Sequence, residues 1–216
     1  MSIDGNASGC RMSANPAART ADPERSRTGP AAAFARLGYI RADFRAMLER
    51  DPALDGGPVA VLEALSYAGF WALLSYRISH FLRAAGLPVL PRFMQAVARF
   101  ATGVDIHPGA LIGPGLFIDH GMGTVIGETA EIGADATLLH QVTLGARGGR
   151  RPGGGAKRHP TLGDRVFVGA GAKLLGPIRI GSDARVGANA VVLEDVPAGA
   201  TAVGVPARIV RGGGRG

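Results

Sequence analysis

The sequence predicts an α+β chain in which an N-terminal all-helical domain precedes a parallel β-helix, a prism of short strands wound round one core. Three observations carry this expectation. Between Ala31 and Thr102 apolar side chains recur roughly every 3.6 residues, the period of helices with one buried face. From Ile106 onward the period changes to six, through Ile106, Ile112 and Ile118, then Ile126, Ile132, Leu138 and Leu144, then Leu162, Val168, Leu174, Ile180, Val186 and Val192. Eight of these thirteen residues are followed directly by glycine, as at Gly113, Gly133 and Gly163, and the chain holds 34 glycines with only 6% aromatics. Many tight corners with no G-X-Y period fit a repeating β architecture rather than collagen. A step of six means three short strands per coil, with the repeated aliphatic stacked up a shared core.

The elements follow in order. Residues 1–30 are rich in Ser, Ala, Arg, Asn and Pro with few large apolar side chains, so burial would not offset the entropy of ordering them. A disordered arm is expected there, and Asp4, Asp22 and Glu24 argue against a transit peptide. Residues 31–102 form the helical domain. Phe34, Leu37, Tyr39, Phe44, Met47 and Leu48 fit one amphipathic helix that Asp51-Pro52 ends; helices over Val59 to Ala68 and Gly69 to Ala84 follow, and after a break at Gly86 and Pro88 a last one spans Arg92 to Phe100. The β-helix covers 103–205 with an inserted loop at 146–161, and a short tail, 206–216, follows. The helical block is expected to cap one open end of the prism, and Val203-Gly204-Val205-Pro206 with the tail to close the other.

Composition narrows the function. Lys plus Arg exceed Asp plus Glu by 24 to 17, a formal charge of +7. No basic motif interleaved with aromatics is present, so solvated charge and cofactor phosphates account for the excess better than nucleic acid does. The single Cys10 excludes an internal disulfide, and no CxxC pattern suggests a metal. The first thirty residues lack the apolar core of a signal peptide, and no apolar run is long enough for a membrane span. The expectation is a soluble, cytoplasmic protein.

The chemistry lies where the period breaks. His107 and Asp119 replace glycine after Ile106 and Ile118, the run from His120 to Thr124 adds a two-residue slip, and Ala146 to Thr161 leaves the prism altogether. A loop inserted into a solenoid is usually functional. Asp105 and His120 are fifteen residues apart, close to the eighteen of one coil, which predicts that they lie side by side on adjacent coils. An Asp bonded to one imidazole nitrogen leaves the other as a base able to deprotonate an alcohol. The competing reading is that each caps a corner through its own backbone. Arg158 and His159 can clamp a small carboxylate; Arg147, Arg150 and Arg151 read as a solvated basic run or as contacts to a cofactor phosphate. His107, His120, His140 and His159 raise a metal site, but that would leave the aspartates and the Arg-His pair unused, and no metal is expected.

These residues also carry a resemblance. DIHP at 105–108, DHG at 119–121, GETA at 127–130, QVTLG at 141–145, RHP at 158–160, GAGAKLLG at 169–176 and VGVPARIV at 203–210 resemble, in this order, the bacterial serine O-acetyltransferases of the hexapeptide-repeat acyltransferase family. The resemblance runs from about Asp51 to Val210 and implies a left-handed prism. It also implies acetyl transfer from acetyl-CoA to the L-serine hydroxyl in cysteine biosynthesis, with L-cysteine as feedback inhibitor. By motif, His120 is the base and Asp105 its orienting partner. Arg158 and His159 match contacts to the serine carboxylate; Asp119 matches a contact to the amino group, and Asp51 another, reached from a neighbouring subunit's helical domain. Glu128 supports the site, while Gly145, Ala146, Ala170 and Ala188 match backbone that holds the pantetheine arm. The chain departs from the family pattern at Ala146, commonly a second Gly, and in a loop about four residues longer than usual. Its short helical domain implies a homotrimer, with a hexamer as the alternative. Its tail lacks the Ile-ending peptide that docks into cysteine synthase, so that complex is not expected. Other readings are acetylation of another acceptor, such as homoserine, a sugar or a xenobiotic; a zinc-dependent relative of γ-carbonic anhydrase; and a non-catalytic β-helix assembly module.

Overall fold

The computed structural model describes residues 29–54, 58–148 and 157–210. The expected disordered arm up to residue 28, Arg150 and Arg151 of the inserted loop, and residues 211–216 of the tail lie outside the described residues.

Among the described residues five helices come first: α1 (Pro30–Leu37), α2 (Ile40–Arg50), α3 (Pro58–Ala64), α4 (Ala68–Ala84) and α5 (Leu90–Thr102). The single helix expected across Phe34 to Leu48 is two. Glycine costs about 1 kcal/mol inside a helix, and at Gly38 the amide bonds back three residues to the Ala35 carbonyl, 3.1 Å, so α1 closes there. The second expected helix is likewise shorter, stopping at Ala64 before Tyr67 turns extended.

Beyond α5 the described residues wind through fifteen short strands that form three faces. Face A holds β1 (Asp105–Ile106), β4 (Val125–Ile126), β7 (Thr143–Gly145), β10 (Lys173–Leu175) and β13 (Val191–Val192). Face B holds β2 (Leu111–Ile112), β5 (Glu131–Ile132), β8 (Thr161–Leu162) and β11 (Arg179–Ile180). Face C holds β3 (Phe117–Ile118), β6 (Thr137–Leu138), β9 (Phe167–Val168), β12 (Arg185–Val186), β14 (Thr201–Val203) and β15 (Arg208–Val210). All pairings are parallel except β14 with β15, a hairpin that follows the last coil. Every one of the thirteen periodic aliphatics is buried in one continuous core, each contributing about 1.5–3 kcal/mol. Where glycine follows, the neighbouring coil can demand it: a Cβ on Gly133 would stand 2.6 Å from the Gly163 carbonyl carbon.

The helical block is bolted to the first coil through α4. Arg77, 1% exposed, donates to the carbonyls of Ile112 at 2.6 Å and Gly113 at 2.7 Å. It also pairs with buried Asp43, Nε to Oδ2 3.0 Å, whose Oδ1 accepts the Leu116 amide at 3.1 Å. Tyr76 donates to the Ala110 carbonyl at 2.6 Å, and His80 Nδ1 to that of Pro108 at 2.9 Å. Polar groups at the open end of the prism thus find partners in the helices rather than being buried unpaired. No helix among the described residues is long and apolar enough to cross a membrane.

Candidate active site

Face A has two borders, and the candidate residues divide between them. Edge AB, where chain leaves face A for face B, carries His107, Glu128, Gly145, Ala146, Arg158 and His159. Edge CA, where chain returns from face C, carries Asp119, His120, His140, Ala170 and Ala188.

At edge AB a cavity of about 430 Å³ opens between α5 and face A, lined among others by Gln95, Asp105, His107, Glu128, Arg158 and His159. His159 is nearly buried, and its Nδ1 accepts from the Thr129 amide at 3.1 Å, with the Thr129 hydroxyl also 2.8 Å away. An amide can only donate, so Nδ1 bears no hydrogen and Nε2 is the ring's N–H. Burial, and then the Arg158 charge, push this imidazole below its ordinary value and keep it neutral. The Thr129 hydroxyl further accepts the amides of Arg158 at 2.9 Å and His159 at 3.1 Å, which fixes the Arg-His pair on its corner. The Arg158 guanidinium lies 2.9 Å from Glu128 Oε2, while Arg83 from α4 holds Oε1 at 3.1 Å. His107 accepts the Gly109 amide at 2.9 Å through Nδ1, and burial pushes it down to about 4.

Asp105, on the outer side of β1, is held from α5. Gln95 donates to Oδ1, with its own amide oxygen bound by Arg92 at 3.1 Å, and Arg99 approaches Oδ2 at 3.4 Å. The expected stacking of Asp105 against His120 on adjacent coils does not occur. The slip lengthens the first coil to twenty residues, so the register partner of Asp105 on the second coil is Val125, and His120 ends the same coil that Asp105 begins. Within one chain the two side chains have different partners and stand at different parts of face A.

At edge CA the slip is tightly stitched. Gly121 N bonds to Asp119 O at 2.6 Å, Met122 N to His120 O at 3.0 Å, and buried Thr124 donates its hydroxyl to the Leu139 carbonyl at 3.1 Å. His120 takes a left-handed backbone, φ 57°, which costs an L-residue about 1–2 kcal/mol, and its side chain stands 75% exposed. Its Nε2 is 3.8 Å from Asp119 Oδ1, and its ring meets that of His140, one coil on, edge to face at 5.7 Å. A group left in this exposed, strained position has freedom to meet a substrate.

Asp51 is the C-cap of α2, whose end is tied to the corners between faces B and C. Arg50, the last residue of α2, donates to the carbonyls of Gly115 at 3.2 Å and Asp135 at 2.9 Å and pairs with the Asp135 carboxylate at 2.8 Å. The helix end is therefore pinned to the prism it belongs to. The Asp51 carboxylate, as hydrogen-bond partner, pushes the Tyr67 phenol up to about 12, with Asp119 adding to the push. Tyr67 thus lies near both Asp51 and Asp119 of its own chain.

Sequence reasoning missed Gln95, Thr129 and Tyr67. Thr129 sits inside GETA and was legible as motif but not as the group that fixes His159. Gln95 and Tyr67 lie in helical sequence with no periodic signal to mark them. Among the described residues no cluster of three or more His, Cys, Asp or Glu could hold a metal, and the four histidines that raised one divide between the two edges.

The arrangement defines a hexapeptide-repeat acyltransferase, and residues 159–194 match the family described as bacterial transferase hexapeptide (six repeats). The chain belongs to the serine acetyltransferase family. It is 52% identical over 174 residues to the serine acetyltransferase of Mycobacterium tuberculosis, covering 81% of this chain and 73% of that relative. The crystal structure of Neisseria gonorrhoeae serine acetyltransferase superposes with a TM-score of 0.76 at 45% identity over 82% of this chain, which spans 65% of that protein's length. The Brucella abortus serine acetyltransferase solved in complex with coenzyme A gives a TM-score of 0.75 at 38% identity, over 81% of this chain and 67% of that one. The prism is accordingly the left-handed β-helix of this family.

Proposed function

We propose that the protein transfers acetyl from acetyl-CoA to the hydroxyl of L-serine, releasing O-acetyl-L-serine and CoA, and that each active site is shared between two copies of a homotrimer. The observation that carries the shared site is the division of the machinery between the two borders of face A. His120 and Asp119 stand at one border, with Asp51 beside Tyr67, on which the Asp119 charge also acts; Asp105, Arg158 and His159 stand at or beside the other. Rotating copies about an axis in front of face A brings edge CA of each against edge AB of the next, a closed arrangement that completes every site.

In the completed site Asp51 and Asp119 hold the serine ammonium. Arg158 and the Nε2–H of neutral His159 hold its carboxylate, and Glu128 keeps Arg158 in place. His120 takes the hydroxyl proton as the serine oxygen bonds to the acetyl carbonyl carbon. Asp105 of the neighbouring copy orients and stabilises the imidazolium that forms. The carbon–sulfur bond then breaks, and the imidazolium returns the proton to the CoA thiolate. A backbone amide near Gly145 stabilises the oxyanion, and the small residues Gly145, Ala146, Ala170 and Ala188 admit the pantetheine arm between the copies. L-Cysteine, with the same ammonium and carboxylate, fits the serine contacts and serves as feedback inhibitor. The setting is cysteine biosynthesis in the cytoplasm.

The test is thiol release from acetyl-CoA with L-serine, L-homoserine or a hexose as acceptor. Serine-dependent release is expected. Release with homoserine or hexose alone would replace the acceptor, and none with any of them would leave an assembly module.

A further inference from the structure

From the way α5 grips the first strand of the prism, we infer that Gln95 is a positioning residue for the acyl transfer, fixing the angle at which the Asp105 carboxylate meets the imidazole of the neighbouring copy's His120. The inference rests on the shared-site reading above and adds a residue that acts through Asp105 rather than on the substrate.

Gln95 donates its side-chain amide to Asp105 Oδ1, and Arg92, on the same face of the helix, donates to Gln95 Oε1 at 3.1 Å. A guanidinium has only donors, so the amide oxygen must face Arg92 and the NH2 must face the carboxylate. The order of the three groups therefore decides which way the amide points. Gln95 also borders a space of only about 10 Å³ among Ala72, Ala98, Val104 and Ile106, the room of a single water and too small to take the amide. The helix cannot drift relative to β1. Thr102 donates its hydroxyl to the Ala98 carbonyl at 2.6 Å and accepts the Val104 amide at 3.2 Å, and Gly103, φ 70°, turns the chain directly into the strand. The Gly103 carbonyl accepts the Gly123 amide at 2.8 Å, which ties this joint to the slip that follows His120.

What Gln95 supplies is direction without charge. Asp105 has to stabilise an imidazolium as the serine proton is taken, so a cation bonded tightly to it would cancel part of the negative charge that the step uses. Arg99 approaches Oδ2 at only 3.4 Å, and its side chain is 61% exposed, where water screens it. Arg92 is one bond removed, beyond the amide. The neutral amide thus makes the one close bond to the carboxylate from α5. A carboxylate has about four lone-pair sites, and those left over remain for the imidazole that the neighbouring copy brings.

The experiment compares the full chain with two variants. Gln95→Glu keeps the shape of the side chain, loses the donor and adds a negative charge beside Asp105; Gln95→Leu loses the donor alone. The imidazole of His120, one of five in the chain, is followed by NMR titration and assigned by its loss in His120→Ala. In Gln95→Glu its protonation midpoint is expected to rise by about half a pH unit or more, because the added charge favours the imidazolium. Gln95→Leu is expected to lower kcat about tenfold or more, with KM for either substrate little changed. The other charged or titratable groups near the pair, Arg92, Arg99, Glu128 and Arg158 at the cavity and Asp119 and His140 beside the base, are common to all three chains. An unmoved His120 midpoint in Gln95→Glu, or a kcat in Gln95→Leu within about twofold of the parent, overturns the positioning role. Thiol release by the parent chain is scored separately: none with any acceptor sinks the serine reading, and the His120 midpoint still decides the role of Gln95.

Discussion

The imidazole of His159 occupies the space that a side chain on Gly127 would need: a Cβ there would lie 2.1 Å from His159 Cδ2 and 2.2 Å from Nε2. The neutral donor proposed for the serine carboxylate is thus held by the absence of one methyl group and by Thr129 on its far nitrogen. Gly127→Ala is expected to displace the ring and raise KM for serine, lowering kcat/KM about 10–100-fold while KM for acetyl-CoA changes little. Thr129→Val should act in the same direction and Thr129→Ser should not. Steady-state kinetics with each substrate varied in turn checks this, and a shift confined to acetyl-CoA would contradict the assignment.

The division of the site predicts complementation. His120→Ala and Asp105→Ala should each be inactive, the first by about 10²–10⁴-fold or more, with acetyl-CoA still bound. Co-expressed with two different tags, the inactive chains form mixed trimers. Each site takes its base and its aspartate from different copies, so about one site in three of a mixed trimer is intact. Recovery of about that fraction of wild-type turnover in doubly tagged protein is the expected result; no recovery would put both groups in one chain's site.

Acid should weaken the fold through its buried imidazoles. His107 is pushed down to about 4, first by burial, and burial likewise lowers His80 and His159. Each is neutral when folded and gains a proton more readily when unfolded, near 6.5. Their contribution is therefore fully present above about pH 6.5 and is lost as pH falls toward 4. His107→Asn keeps an acceptor for the Gly109 amide but does not titrate. It should flatten the stability profile between pH 6.5 and 4 by roughly 1–2 kcal/mol after allowance for the half-exposed ring, measured by urea denaturation across that range.

Arg77 and Asp43 make a different prediction because both are almost fully buried. Arg77→Met leaves an unpaired carboxylate against the first coil and should cost about 3–5 kcal/mol. Adding Asp43→Leu should recover part of that loss. Thermal melts of the single and double variants separate a broken pair from a merely lost cation; equal melts would argue that the pair is not coupled.

The prism was legible because its rule is strict. A residue such as Leu138 or Val168 has neighbours one coil above and below, and only a compact aliphatic fits, so the sequence repeats what the geometry repeats. The helical block has no such rule, and Gly38 splits a continuous apolar pattern by a local cost the pattern does not record. In the site, the Arg158-His159 corner and the exposed His120 could be read from broken periodicity. The partner of Asp105 could not: the two residues inserted after His120 shift the register to Val125, and Gln95, which holds the carboxylate, comes from a helix whose contacts are tertiary.

Thirty residues separate Ile132 from its ladder partner Leu162, whereas eighteen separate Ile126 from Leu144, and the pairing is the same. The ladder records position and is blind to the length of chain between rungs. Lengthening or trimming the excursion before Arg158 changes only a loop-closure entropy, about 0.6 kcal/mol per doubling, and leaves both rungs where they were. The excursion is thus a socket: a place where evolution or a designer can exchange whole segments to alter what is admitted beside the Arg-His corner, while the base on the opposite border keeps its geometry untouched.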